Sequence, residues 1–131
     1  MEYSCTTRSI RVSVEPAFLE EQSSPAENHY VWAYFVRVEN HGTQAVRLLS
    51  RYWHITDAAG RVSEVRGPGV VGEQPLIEPG EAFEYTSGCP LNAPSGVMHG
   101  NYTMETPGGD RFSVTVPAFS LDSPHQICRP H

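Results

Sequence analysis

The chain has 131 residues, of which 39% are hydrophobic and 18% charged, so it fits one globular domain of ordinary size that needs no staple to fold. Its nine basic residues are all arginine against fifteen acids, a formal net charge of −6 that lacks the basic field a nucleic-acid binder requires. The longest apolar run, Val31 to Val36, falls far short of the ~20 residues of a membrane span, and the first residues carry no signal-peptide pattern, so a cytoplasmic protein is expected.

In chain order, period two dominates. Ile10, Val12 and Val14 alternate with Arg11, Ser13 and Glu15, a half-buried strand that Pro16 should end. After a polar loop, Tyr30, Trp32, Tyr34, Val36 and Val38 line one face of a second strand. Val31, Ala33 and Phe35 line the other, which predicts a central strand buried on both sides over its first half. Asn40-His41-Gly42 turns the chain into a strand over Val46 to Asp57. There Leu49, Trp53 and Ile55 share a face with Arg47 and Arg51, which a β-bulge or an exposed upper half would explain.

Asp57-Ala58-Ala59-Gly60 closes a hairpin into Arg61 to Val65, and a glycine-rich segment, Gly67 to Gly72, follows. Leu76-Ile77 is a short apolar pair, Phe83 and Tyr85 mark another strand, and Gly88 to Gly96 reads as an irregular loop. Met98, Tyr102 and Met104, the turn Pro107-Gly108-Gly109-Asp110, then Phe112, Val114 and Val116 form a hairpin signal. Six to eight short strands and no helical window predict an all-β, antiparallel two-sheet sandwich of fibronectin type III or immunoglobulin kind over residues 1–121. Residues 122–131 carry little periodicity and are expected to fray.

Few residues promise chemistry. Gly67, Gly69 and Gly72 spell G-x-G-x-x-G, but the helix whose N-terminus would hold a phosphate is missing, since Pro75 and Pro79 follow and Glu73 adds a negative charge. Binding of a small ligand (a nucleotide or pyrophosphate) or a metal through the Gly67–Gly72 loop is therefore the alternative reading, and the main one is a structural loop. Cys5, Cys89 and Cys128 are odd in number and contain no C-x-x-C pair, so free thiols are expected. His125, Cys128 and His131 form a weak metal candidate with no fourth ligand. His54 is more simply a surface or satisfied histidine than a base. Glu81 and Glu84, three apart in a strand, point to opposite faces, and no catalytic residue or cofactor is indicated.

What remains is recognition. Arg51, Trp53 and Arg66, with Gly67, Gly69, Gly72, Glu73 and Gln74, are the candidate partner-binding residues. If they share a face, an arginine fork, an aromatic plate and free backbone amides would suit an acidic or extended peptide.

The runs Leu48-Leu49-Ser50-Arg51-Tyr52-Trp53, Glu64-Val65-Arg66-Gly67-Pro68-Gly69-Val70-Val71-Gly72-Glu73-Gln74-Pro75, Tyr85-Thr86-Ser87-Gly88 and Pro117-Ala118-Phe119-Ser120-Leu121 closely resemble the bacterial ApaG family, over about Tyr3 to Leu121. The resemblance implies a fibronectin type III-like sandwich, a cytosolic protein associated with cobalt and magnesium resistance or efflux, and a domain that recurs in F-box proteins and a polymerase-interacting protein. It supplies no catalytic residues. Tyr52 and His54 depart from the expected family pattern. The combined expectation is a non-enzymatic binding domain with an unknown protein or peptide partner, no nucleic acid, no membrane and no cofactor, present as a monomer or weak homodimer.

Overall fold

The computed structural model describes residues 1–125. Nine strands run in the order β1 (Tyr3–Thr7), β2 (Ile10–Phe18), β3 (Tyr30–Asn40), β4 (Val46–Asp57), β5 (Val62–Pro68), β6 (Leu76–Ile77), β7 (Ala82–Leu91), β8 (Gly96–Glu105) and β9 (Arg111–Leu121). Two 3-10 turns, Glu20–Gln22 and Pro25–Glu27, separate β2 from β3. One sheet has the order β1-β2-β3-β7 and the other β5-β4-β8-β9, with β6 beside β5 on the same flank of β4. All pairings are antiparallel, and the result is the two-sheet sandwich that the alternation predicts.

The alternating apolar residues meet between the sheets. Val12, Val14, Val36, Val38, Leu48, Met104, Val114 and Leu121 are fully buried there. Trp53 stands at the centre with ring centroids 5.5 Å from Tyr34 and 6.2 Å from both Tyr102 and Phe119, all edge-on. Tyr85 of β7 and Tyr102 of β8 join the sheets through a buried hydroxyl–hydroxyl hydrogen bond. Asn40 is buried yet satisfied: its Nδ2 donates to the carbonyls of Gln44 and Ile77, and its Oδ1 accepts from Gly42 N–H. That clamp ties the β3–β4 turn to β6.

Four expectations need correction. Pro16 does not end the second strand, which continues to Phe18 with Pro16 opposite Tyr34. Pairing with β1 stops at Val14, so Pro16 lies where β2 has become an edge and a missing N–H is harmless. The outer face of β3 is only half-covered, with Phe35 40% exposed, because no layer packs across that side of the sheet. Gly88 to Leu91 are strand, since β7 is an edge that tolerates Pro90. The described residues form nine strands, because β1 also forms. Its hairpin turn places Arg8 and Ser9 at φ 47° and 66° without glycine, so the usual turn signal is absent.

The imperfect alternation in β4 is a bulge. Leu48 pairs with Met104 and Ser50 with Thr103, which leaves Leu49 as the extra residue. Val46 and Leu48 point inward before it, and Arg51, Trp53 and Ile55 point inward after it. A second bulge, at Pro117 and Ala118 of β9 opposite His99, accommodates another strand proline.

Candidate functional site

The sandwich is closed on one flank, where β9 packs against β1 and β2, and open on the other, where the edge strands β5 and β7 face one another. Between them lies a cleft of about 400 Å³, lined by Trp53, Ile55, Val65, Leu91 and Met98 with Tyr34, Ser87 and Cys89. It continues past Arg51 into a narrower recess of about 170 Å³ under Val70, Val71 and Gly72, flanked by Tyr85. The volume of the main cleft falls within the range of small-ligand clefts.

Arg51 is the pivot. Its inward direction follows from the bulge at Leu49, and its Nη1 donates to the carbonyls of Pro68 (3.1 Å) and Gly69 (3.0 Å). Its register partner is Gly67, where a Cβ would stand 3.0 Å from both guanidinium Nη atoms, so this glycine makes room for the arginine. The other two glycines of the motif are structural as well. Gly69 sits at φ +60° with its Cβ direction 2.0 Å from the Glu73 carbonyl, and Gly72 sits at φ +81° after Val71 at φ 44°. Val71 and Gly72 form the tip of a tight turn in which Val70 and Glu73 exchange backbone hydrogen bonds at 2.8 and 2.9 Å. Val70, fully buried, stoppers the space between the sheets.

The amides of Gly69, Val70 and Glu73 are thus consumed by carbonyls of the chain itself, Gly69 N–H donating to Leu49 O. Gln74 reaches back to the same carbonyl through Nε2 at 2.8 Å. Among the described residues no helix follows the loop, and the next element is β6. The phosphate cradle of the alternative reading therefore has neither a helix dipole nor those three donors.

The structure separates the candidate residues. Trp53 is 3% exposed and belongs to the core. Arg51 faces the cleft, whereas Arg66 lies on the outer face beside its register partner Tyr52, with its guanidinium 4.4 Å from the ring centroid. Glu64 accepts a 2.8 Å hydrogen bond from Tyr52 and lies 3.5 Å from Arg66. His54 stacks on His99 across the same outer face at 4.7 Å, and its buried Nδ1 has no partner among the described residues. His125 lies against Phe18 and Tyr30 and meets Glu20 at 3.1 Å, while Cys128 and His131 lie outside the described residues. Nothing in the sequence assigns Tyr34, Ser87 or Leu91 to a cleft, although Arg51 shares its parity with the core residues Trp53 and Ile55.

Burial dominates the ionisation of the cleft. It raises the hydroxyls of Tyr34, Tyr85 and Tyr102 and pushes the Cys89 thiol up to about 11. Cys89 should therefore resist alkylation at pH 8 until the protein is denatured, whereas the half-exposed Cys5 should react in the native state; peptide mapping after pulsed labelling checks this. Rapid native labelling of Cys89 would mean that the cleft opens far wider than described.

The ApaG domain matches residues 20–106. Among curated relatives, Protein ApaG of Parvibaculum lavamentivorans is 67% identical over 123 residues, covering 94% of this chain and 95% of the relative. Protein ApaG of Rhodospirillum centenum is 62% identical over 129 residues, covering 98% and 99%. Among solved structures, a putative ApaA protein from Bordetella pertussis superposes with a TM-score of 0.86 at 50% identity, covering 89% of this chain and 95% of that one. By these matches, spanning nearly its whole length, the chain belongs to the ApaG family.

Proposed function

We propose that the chain is a non-enzymatic, cytoplasmic recognition domain that takes an extended segment of a partner protein along the open β5 edge. The observation that carries this reading is the placement of β5: it ends its sheet, leaves Val62 55% and Val65 40% exposed, and borders the cleft. An unpaired strand edge supplies a row of backbone donors and acceptors to any extended peptide, and alternate side chains supply specificity. Along β5 a bound segment would meet Arg66 on the outer side and Val65 on the cleft side. Under this reading the association with cobalt and magnesium efflux that the family resemblance implies is exerted through a bound protein.

Selection of displayed random peptides against the immobilised protein, followed by amide chemical-shift mapping, tests it. Shifts concentrated on residues 62–68 are expected, and Arg66→Glu should weaken the selected acidic peptides while leaving the melting temperature unchanged, because this side chain is mostly solvated. Shifts confined to β1 and β9, or undiminished binding by the variant, would overturn the reading.

A further inference from the structure

Arg51 presents an unusual charge balance. It is half-buried, yet among the described residues no carboxylate lies within ion-pair distance of it, and its only hydrogen-bond acceptors are the two carbonyls that hold Nη1. Among the described residues Nε and Nη2 have no acceptor, and they are not sealed from solvent, since the one buried unpartnered side-chain atom there is His54 Nδ1. A guanidinium withdrawn from bulk water favours a counter-anion. Here it has the Nε–Nη2 edge free, the pair of donors that matches the two oxygens of a carboxylate.

The surroundings select the anion. Tyr34, Tyr85 and Ser87 line the same recess, and among the described residues no acidic side chain lines either compartment. One cation matches a single negative charge better than a phosphate dianion. Outward from Arg51 the cleft turns apolar, with Trp53, Ile55, Val65 and Leu91 along its walls. The two compartments share Arg51, Trp53, Tyr34 and Ser87, so one molecule can occupy both.

We propose that the inter-sheet cleft is a binding site for an apolar monocarboxylate, with Arg51 gripping the carboxylate and the walls between β5 and β7 taking the apolar body. Two sources share this chemistry: a free aryl or acyl carboxylic acid, and the C-terminal carboxylate of a chain ending in an apolar residue. The inference deepens the recognition reading above by naming what the ligand must carry at the cleft.

The test uses the full chain and two matched pairs of probes, followed by amide chemical shifts. One pair is 4-phenylbutyrate against its neutral amide, and the other is a short peptide ending in leucine as the free acid against the same peptide amidated. In at least one pair the acid should bind more than about tenfold tighter than the amide, the scale of losing a charge-assisted hydrogen bond. The shifts should centre on Val65, Ser87 and Cys89. A preference confined to the first pair assigns the site to a small molecule, and one confined to the second assigns it to a chain terminus.

Arg51→Met should remove the acid-over-amide preference. Because Arg51 also holds the loop carbonyls, Val65→Glu serves as a second variant: it sits at a partly exposed position on the cleft wall and should weaken the acids more than the amides, since the added carboxylate repels the ligand's own. Equal affinity of acid and amide in both pairs, shifts away from the cleft, or no binding of any probe at millimolar concentration would overturn the proposal. Selected peptides that still map to β5 without needing a carboxylate would overturn it while leaving the edge-recognition reading intact.

Discussion

Replacing Gly100 with alanine should destabilise the fold by about 3 kcal/mol, the upper end of what overpacking a well-filled core costs. Gly100 faces Trp53 across the β4–β8 ladder, and a Cβ there would stand 1.9 Å from the Tyr52 carbonyl and 3.1 Å from the Trp53 ring. Neither neighbour can yield. The carbonyl belongs to a central strand, and the indole is wedged among Tyr34, Tyr102 and Phe119. Gly108→Ala, whose Cβ would enter open space, is the matched control and should leave the melting temperature unchanged. Thermal melts followed by circular dichroism decide: equal midpoints for the two variants would mean that the ladder shifts at little cost.

Alkali should unfold the protein. Burial raises Tyr34, Tyr85 and Tyr102 above 10.0, and Cys89 to about 11 from 9.0. The sign follows from linkage. Each group is a neutral acid that the folded state keeps protonated longer, so the stabilisation is complete below the unfolded values and is lost as pH rises from about 9 to 10 towards the folded ones. Each such group contributes a slope of up to about 1.4 kcal/mol per pH unit, and the hydroxyl pair Tyr85–Tyr102 titrates as a unit. Two pH units above 10 then remove several kcal/mol, comparable with the whole stability of a small domain. Guanidinium unfolding between pH 8 and 11 should show a steady midpoint up to about pH 9 and a steep fall beyond pH 10. A flat midpoint to pH 11 would show that the tyrosine cluster is solvated.

The sandwich was legible because its strands alternate and Trp53, Tyr102 and Phe119 fall on inward positions. The misplaced boundaries at Pro16 and Pro90 share one cause. Locally these prolines read as a strand end and a loop residue, but each lies on an edge, and edges are set by tertiary pairing that no local window contains. The candidate site was half legible. Arg51 and the three glycines were singled out, but the glycines' purpose emerges only once Gly67 is seen lying on the guanidinium and Gly69 against the Glu73 carbonyl. The β7 wall of the cleft was invisible from the sequence, because Ser87 to Leu91 are 36 to 40 residues from Arg51 along the chain and meet it only through sheet order.

The same prolines bear on how copies of this chain could stick together. An open-ended fibril needs two compatible sheet margins on every molecule, so that each addition creates a fresh one. Here β7 and β9 each carry an internal proline that removes a backbone donor, and β1 offers only five residues. The run from Val62 to Gly67 is free of proline, and its neighbour along β4, the two-residue β6, is set off from it by the Val71–Gly72 turn. Contact through that run alone can join two molecules about a dyad, which uses up both margins. Growth then stops at the pair, so crowding or high expression should yield reversible dimers in preference to amyloid.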